Sequence, residues 1–304
     1  MIKINTTPQT ENFDLGIFGL GYESRAISVF SQSNYKCAKS IVIGYSQHTR
    51  ELSYQYNKEA YLTHSLEIIE GDDSKVIKEV INYFDKNIKD VPINVLLDIT
   101  VMSRHRLSTI IVLLLDKLPK SSTLTIAYEV SKFVEAPTEL SPIHKVGEIT
   151  ETLSGCLGDL SYPTSLIVGL GYEKGKAIGI CNYIDAEYSF LFIPKGIDKR
   201  FEDAVTKHNH GLIDSIPNEH IFYYNVCEPC KIYFELREIV LSIMEFSRPL
   251  LIPLGPKIFA AIATIIGKEL YPTLPVWRVS SEHTEEPTER PSSGTISLFT
   301  VTIT

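Results

Sequence analysis

Short apolar runs alternate along this chain with longer segments whose apolar residues recur at helical spacing. In the segment 74–87, for example, Val76, Val80, Ile81 and Phe84 would share one face of a helix. Near-continuous apolar strands that alternate with helices are typical of a parallel sheet with helices on both faces. The pattern therefore predicts an α/β fold.

The same pattern predicts where the elements lie. The predicted strands are 15–18, 40–44, 66–70, 93–98 and 123–130 in the first half, 165–168, 189–193, 220–226, 250–253 and 275–280 in the second, and finally 295–304. The predicted helices are 24–32, 51–61, 74–87 and 104–118, then segments that begin near 174, 198, 228 and 257. The last strand alternates polar and apolar residues, which predicts the edge of a sheet.

The word Gly-Leu-Gly-Tyr-Glu follows the first apolar run of each half, at 19–23 and at 169–173. Other matches follow at nearly the same offset: Arg50 with Arg200, 128–131 with 277–280, 136–139 with 286–289, and 147–150 with 294–297. Several matches in order at one offset indicate an internal repeat. We therefore predict a tandem duplication of a Rossmann-like, doubly wound, mostly parallel sheet module, with a pseudo-two-fold relation between the copies.

Length and composition agree with two ordinary globular modules. The chain has 304 residues, of which 44% are hydrophobic and 22% are charged, and domains of about 150 residues are common. The predicted N-terminal module is 1–154 and the C-terminal module is 165–304. The segment 155–164, which contains glycine and proline, is the predicted linker.

Net charge and targeting patterns narrow the class of partner. The formal net charge of −8 argues against general nucleic-acid binding, because neutralising phosphates requires a basic surface, but it leaves room for a small basic pocket. No signal-peptide pattern is present at the N terminus, and the apolar stretches 109–115 and 250–266 are too short or too interrupted to span a bilayer. We predict a cytoplasmic protein without a membrane partner, whose five cysteines are reduced.

The repeated glycine word stands where a doubly wound sheet approaches its ligand. It is a weak dinucleotide fingerprint, because Ser24 and Lys174 replace the third glycine and Glu23 would repel a pyrophosphate. In a structural interpretation, the glycines form a tight turn and the glutamate favours the helix N-terminus. In a functional one, base or ribose contacts come from the tyrosine and glutamate of each copy, Tyr22, Glu23, Tyr172 and Glu173.

The loops after the two fourth strands differ. The first runs from Asp98 through Arg104 to Arg106, whereas the second is Pro253-Leu-Gly-Pro-Lys257. Arginines at the start of a helix are unfavourable for the helix dipole, which favours a bound anion. We predict an anion site with Arg104, Arg106 and Lys257 as its positive groups. In the alternative, Asp98 pairs with one of the arginines and Lys257 is solvated.

The loops after the fifth strands carry further polar groups. We assign Arg278 to ligand binding, and the polar stretch 281–293 is either a loop that covers a site or a solvated connection. His283 is a candidate general acid if the protein is an enzyme. The Cys227-x-x-Cys230 pair has no second pair at metal-ligand spacing, so we predict neither a metal nor a cofactor.

Two Rossmann-like modules about a two-fold axis resemble, at the level of fold, the sensor domains for nucleotide second messengers, in which the ligand lies between two carboxyl-end faces. Our first hypothesis is a regulatory protein that binds a nucleotide or a phosphorylated small molecule in a cleft between the modules and acts on a protein partner. The second is an enzyme that hydrolyses or transfers a nucleotide or phosphosugar group, with Asp98 as base or nucleophile. The third is a structural subunit of a larger assembly.

Overall fold

The computed structural model describes residues 2–5, 10–32, 34–88, 91–136, 143–156, 158–280 and 286–304. They form an α/β structure with parallel-dominated sheets and several helices. The chain divides into two compact units: unit 1 is Met1–Lys132 with Glu286–Thr304, and unit 2 is Phe133–Glu285. Unit 1 is therefore discontinuous in sequence, whereas the modules predicted from the repeat follow one another along the chain.

The elements agree closely with the apolar pattern. The strands are β1 (Ile2–Asn5), β2 (Asn12–Leu20), β3 (Lys36–Gly44), β4 (Glu67–Glu70), β5 (Asn94–Asp98), β6 (Thr123–Ser131), β7 (Lys145–Glu148), β8 (Thr164–Gly169), β9 (Tyr188–Lys195), β10 (Ile221–Asn225), β11 (Arg248–Pro253), β12 (Trp277–Ser280) and β13 (Ser292–Ile303). The helices are α1 (Ser28–Gln32), α2 (Tyr54–Thr63), α3 (Asp73–Asn87), α4 (Arg104–Lys117), α5 (Lys176–Ile184), α6 (Lys199–Ile213), α7 (Pro229–Met244) and α8 (Lys257–Glu269). Short 3-10 turns lie at Ser24–Ile27, Glu151–Leu153 and Asn218–His220.

Unit 1 is built on a seven-stranded sheet in the order β1-β13-β6-β5-β2-β3-β4. Its strands from β6 to β4 are parallel, and β13 and β1 add antiparallel beyond β6. When the parallel strands are counted along the chain, their order is 3-2-1-4-5.

Unit 2 is built on a parallel four-stranded sheet in the order β10-β9-β8-β11. A parallel bridge from Leu251 to Val276 continues this sheet by one position. Its parallel strands therefore also follow the order 3-2-1-4, with the segment at Val276 in the fifth place. A separate antiparallel pair joins β12 to β7.

The last strand, β13, does not form the edge of a sheet, so that prediction was wrong. It pairs with β6 on one side and with β1 on the other. The alternation of polar and apolar residues in β13 indicates which side chains face the core. It does not indicate whether neighbouring strands pair with β13 on one side or on both. The short strands β1 and β7 were not predicted from the sequence.

The helices pack apolar side chains onto the sheets. In α3, the residues Val76, Val80 and Phe84 are buried, as their spacing predicts. Helix α8 is buried from Ile258 to Gly267, because it packs against β11 and α7. Within the described part of the chain, no helix combines the length and the hydropathy needed to cross a membrane.

Candidate functional site

The carboxyl ends of β2 and β5 meet in unit 1 where the strand order reverses, the usual ligand position in doubly wound sheets. Val101, in the loop after β5, fills this position. A Cβ atom at Gly19 would lie 2.8 Å from Val101 Cγ2, and one at Gly21 would lie 3.0 Å from Val101 Cβ. Glycine is therefore favoured here by the close approach of the loop after β5. The choice between the structural and the functional interpretation of the repeated word stays open.

The equivalent position in unit 2, between β8 and β11, is closed by backbone. A Cβ atom at Gly255 would lie 2.5 Å from the carbonyl oxygen of Leu170, and one at Gly171 would lie 2.8 Å from the carbonyl oxygen of Leu254. In each unit, another part of the protein thus approaches the glycine word too closely for a side chain at these positions.

An asparagine side chain holds each glycine word in place. Asn57 Nδ2, from α2, donates to the carbonyl oxygens of Gly21 and Glu23 at 2.9 Å. Asn209 Nδ2, from α6, donates to the carbonyl oxygen of Gly171 at 2.9 Å. This pair was not predicted from the sequence, because its offset is two residues longer than that of the glycine words. A polar residue on the buried face of each helix was the available signal.

Three charged residues are buried together at the carboxyl edge of unit 1, and Glu23, Arg25 and Glu129 are called the charged cluster below. Arg25 Nε donates to Glu23 Oε2 at 2.7 Å, and its Nη1 donates to the backbone oxygen of Glu129 at 2.5 Å. Burial by itself lowers the pKa of Arg25, but Tyr128 and Glu23 raise this pKa and the net shift is upward. Arg25 therefore stays ionised inside the cluster.

The covering segment, residues 286–294 of unit 1, lies over the charged cluster. Glu129 Oε1 accepts hydrogen bonds from Ser292 Oγ at 2.5 Å and from the backbone nitrogen of Gly294 at 2.9 Å. Glu129 Oε2 is buried and has no hydrogen-bond partner among the described residues. A buried acceptor without a donor costs roughly 1–3 kcal/mol, so this oxygen could accept a hydrogen from a bound molecule.

Three further contacts, made by two of its residues, fasten the covering segment. Arg290 Nη1 lies 3.5 Å from Glu23 Oε1, and Glu289 Oε1 accepts from the backbone nitrogen of Ser24 at 2.8 Å and from its Oγ at 2.6 Å. The described part of the predicted polar stretch thus covers the charged cluster. The remainder of that stretch, with His283, lies outside the described residues.

Asp98 ends β5 and is fully buried. Its Oδ1 accepts from the backbone nitrogen of Thr100 at 2.9 Å, which ties the carboxylate to its own loop. Burial and then the nearby Asp98 raise the pKa of Tyr61. The enclosed position gives no direct support to Asp98 as a base or nucleophile, and that role stays a prediction.

Arg106 is fully buried, and several protein groups contact its guanidinium. Its Nε donates to Asp73 Oδ1 at 2.6 Å. Its Nη1 and Nη2 donate to the carbonyl oxygens of Gly44 at 2.9 Å and Gly71 at 3.0 Å, and its Cζ lies 3.6 Å from the ring centroid of Tyr45. The guanidinium joins the loops after β3 and β4 to the start of α4. Asp73 supplies a negative charge beside this cation, and the anion role of Arg106 stays a prediction.

The other predicted anion-binding residues are half-buried and lie in different units. Arg104 begins α4 in unit 1, and Lys257 begins α8 in unit 2. Arg278, in β12 of unit 2, has a buried Nε without a hydrogen-bond partner among the described residues. A joint anion site of Arg104, Arg106 and Lys257 stays a prediction.

Tyr172 belongs to an aromatic group at the carboxyl edge of unit 2. Its ring centroid lies 5.8 Å from that of Phe201, which lies 5.1 Å from that of Phe133. Arg200 Cζ lies 5.0 Å from the Phe133 centroid, and Asp198 accepts hydrogen bonds from Arg200 Nε and Nη2. We call Phe133, Tyr172, Arg200 and Phe201 the stacking cluster. The Arg200 side chain is 67% exposed, and the three rings are half-buried.

The remaining predicted residues have simpler surroundings. The ring of Tyr22 packs edge-on against His48 with centroids 6.0 Å apart, and Glu173 is half-buried. Phe133 and Phe201 were not predicted as site residues. Arg200 had a signal in its alignment with Arg50, but the sequence does not indicate that Phe133 packs beside it.

The Cys227-x-x-Cys230 pair lies at the start of α7: Cys227 precedes the helix and Cys230 is in its first turn. Among the residues described, no group of three His, Cys, Asp or Glu side chains could hold a metal ion. Burial raises the pKa of both thiols, and Glu228 raises that of Cys227 further. A raised pKa favours the protonated, less reactive form of each thiol.

We expect Cys156 to react with iodoacetamide roughly tenfold faster, or more, than Cys37 and Cys181 at pH 8, since the thiolate is the reactive form. Cys156 is exposed, whereas burial raises the pKa of Cys37 and of Cys181 to about 11 against a smaller lowering by a hydrogen bond. Peptide mass spectrometry after timed labelling measures the rates. In urea the rates should converge, and equal rates in the native protein would contradict the expectation.

No protein-family model matches the chain, and no curated protein matches its sequence. The function proposed below therefore depends on the geometry and chemistry of the two clusters.

Proposed function

We propose that the protein binds a nucleotide or another phosphorylated small molecule and that this binding regulates a partner protein. The observation that carries the proposal is the stacking cluster, in which three aromatic rings and a guanidinium meet at the carboxyl edge of a doubly wound sheet. Ligands of such sheets bind at this edge. Tyr172, which the sequence analysis assigned to a base or a ribose, is a member of the cluster.

The side chains of the stacking cluster are suited to bind both the base and the phosphate of a nucleotide. Aromatic side chains stack on bases whatever the base, typically for about 1–3 kcal/mol per base. Arginine binds phosphate through a planar fork of N–H donors. Asp198 occupies Nε and Nη2 of Arg200, so Nη1 is available to a phosphate oxygen. Since this ion pair is exposed, a phosphate can compete with the carboxylate for the guanidinium.

The charged cluster offers polar contacts of its own within unit 1. Burial of charged groups costs free energy, and such groups collect at functional sites. In our proposal, Glu23 and Glu129 accept hydrogen bonds from hydroxyl or amino groups of a ligand. The covering segment moves aside so that the ligand can reach these carboxylates. A partner protein would sense that displacement. Contacts of Tyr22 and Glu173 with a base or ribose belong to the same proposal.

We also propose that both sheets descend from one duplicated Rossmann-like module. Their parallel strands share one order, and in both an asparagine holds the glycine word. The tail of the first copy, β7, pairs with the fifth strand of the second, β12, while the tail of the second, β13, pairs with β6 of the first. This exchange of tails explains why the compact units differ from the consecutive modules 1–154 and 165–304.

A ligand shared between the two modules stays a prediction, because the contacts that support our proposal lie within each unit. The enzyme with Asp98 and His283 and the structural subunit stay alternatives, and one set of experiments separates them from the regulatory protein.

The test begins with a thermal-shift screen of nucleoside mono-, di- and triphosphates, dinucleotides, sugar phosphates and inorganic phosphate. A compound that stabilises the protein is then titrated by calorimetry against wild type, Arg200→Ala and Phe133→Leu. We expect Arg200→Ala to weaken binding about tenfold or more, as for loss of a charged hydrogen bond. Lys231→Ala is the matched control, since Lys231 is another exposed cation of unit 2 beside acidic residues.

Each outcome has a defined meaning. Equal affinities of wild type and Arg200→Ala would overturn the stacking cluster as the site. If no compound in the screen stabilises the protein, the result would favour the alternative of a structural subunit. If a bound compound is converted, as chromatography of the incubated mixture would detect, the protein is an enzyme rather than a sensor.

A further inference from the structure

Strand β10 ends the sheet of unit 2 among the described residues. Its sequence, Ile-Phe-Tyr-Tyr-Asn from Ile221 to Asn225, contains neither a charged residue nor a proline. An edge strand offers a row of backbone N–H and C=O groups to any further strand, and proteins usually protect such edges with charges, prolines or bulges.

The other outer strands of the two sheets carry this protection. Strand β1 contains Lys3, and β4 has glutamate at both ends. On the far side of the unit 2 sheet, β11 is continued by the bridge from Leu251 to Val276, and it also contains Pro249 and Pro253. Strand β10 therefore differs from the other outer strands of its own protein, and an unprotected apolar edge calls for an occupant.

A groove of about 470 Å³ lies beside β10 and α7. Its apolar lining includes Phe192, Phe222 and Phe234, and Glu235 and Glu238 of α7 contribute acidic groups. Two aromatic side chains at the groove are half-exposed: Tyr223 at 51% and Phe234 at 54%. Aromatic residues are enriched in protein–protein interfaces. The exposed backbone edge and the apolar groove therefore both favour a protein partner.

We infer that β10 pairs with β10 of a second copy of this chain, antiparallel across a two-fold axis. A two-fold interface requires a patch that is complementary to itself. A five-residue strand paired about its central residue meets this requirement, because Tyr223 then faces Tyr223 of the second copy. The antiparallel arrangement also brings Glu219, just before β10, towards the end where Lys195 lies beside Asn225, and their charges are opposite. Within its own chain, Lys195 Nζ lies 4.4 Å from the ring centroid of Tyr223 and 3.8 Å from Glu202 Oε1, so Glu219 of the second copy would add to these contacts.

The first test is the mass of the full chain by size-exclusion chromatography with light scattering. At tens of micromolar, wild type should have about twice the monomer mass of 34.2 kDa. Tyr223→Glu should shift the mass to that of a monomer, because it places two like charges opposite each other. Tyr183→Glu makes the same change at a 69%-exposed tyrosine on α5 and should leave the dimer intact. Circular dichroism confirms that both variants are folded.

A second test reports the geometry of the pair. In a Cys156→Ser background, Tyr223→Cys should give a covalent dimer with a short bis-maleimide, because the two-fold axis passes beside this residue. Tyr183→Cys should not. A wild-type monomer at roughly 100 µM, a concentration at which even weak dimers are populated, would overturn the inference. A dimer that survives Tyr223→Glu and does not cross-link through Tyr223→Cys would overturn it as well.

Discussion

Replacing Arg106 by methionine should lower the free energy of unfolding by about 3 kcal/mol, the lower end of the range for breaking a buried ion pair. The guanidinium is fully buried, and its removal leaves the carbonyl oxygens of Gly44 and Gly71 without their donors. Asp73 is 30% exposed, so water can partly replace its lost partner. The expected loss is therefore smaller than the upper end of the range for a buried ion pair. Urea unfolding followed by circular dichroism measures the change.

The control is Lys117→Met, which removes another basic partner from an aspartate in unit 1. Lys117 and Asp85 are 34% and 58% exposed, and an exposed pair of this kind contributes less than about 1 kcal/mol. Equal losses in the two variants would contradict the assignment of Arg106 as the group that joins the loops after β3 and β4. The single tryptophan, Trp277, lies in unit 2, so its fluorescence tests whether the effect is confined to unit 1.

Replacing Gly255 by alanine should destabilise unit 2 by about 2–3 kcal/mol, the upper part of the range for overpacking. The new Cβ would lie 2.5 Å from the carbonyl oxygen of Leu170 and 3.0 Å from the hydroxyl of Tyr224. The backbone of Leu170 cannot easily yield, because its amide donates to the carbonyl oxygen of Phe192 at 2.8 Å. Thermal unfolding followed by Trp277 fluorescence measures the loss.

Gly211→Ala is the matched control in the same unit. Gly211 lies in α6, and a Cβ atom there would meet nothing within 4 Å. Alanine should therefore stabilise the helix by about 0.5–1 kcal/mol, because glycine loses more backbone entropy on folding. If Gly255→Ala had as small an effect, the close approach of the two loops would not be what requires glycine in unit 2.

Only some residues of the charged cluster and the stacking cluster could be predicted from the sequence. Glu23 and Tyr172 stand in the repeated word, and that word predicted them as site residues. Their neighbours come from distant parts of the chain: Arg25 reaches a backbone oxygen 104 positions away, at Glu129. Periodicity carries no information on such contacts, because it reflects which face of a local segment is buried.

Arg106 illustrates the same limit. Its place at the start of α4 predicted a bound anion, since a cation there opposes the helix dipole. In the fold, Asp73 neutralises it and two carbonyl oxygens accept its hydrogens. Asp73 lies 33 positions away in the sequence, so helical position alone does not indicate that this carboxylate lies beside Arg106. A bound anion at Arg106 stays a prediction.

The sequence by itself determined the alternation of strands and helices and the repeated glycine word. Segment 74–87 became α3 (Asp73–Asn87) and 104–118 became α4 (Arg104–Lys117), because helical periodicity is a local property. The tertiary structure alone decided that β13 lies between β1 and β6, and which groups surround Arg106 and Glu129. Strand pairing and the cost of burying a charge both depend on groups that are distant in sequence and become neighbours in the folded chain.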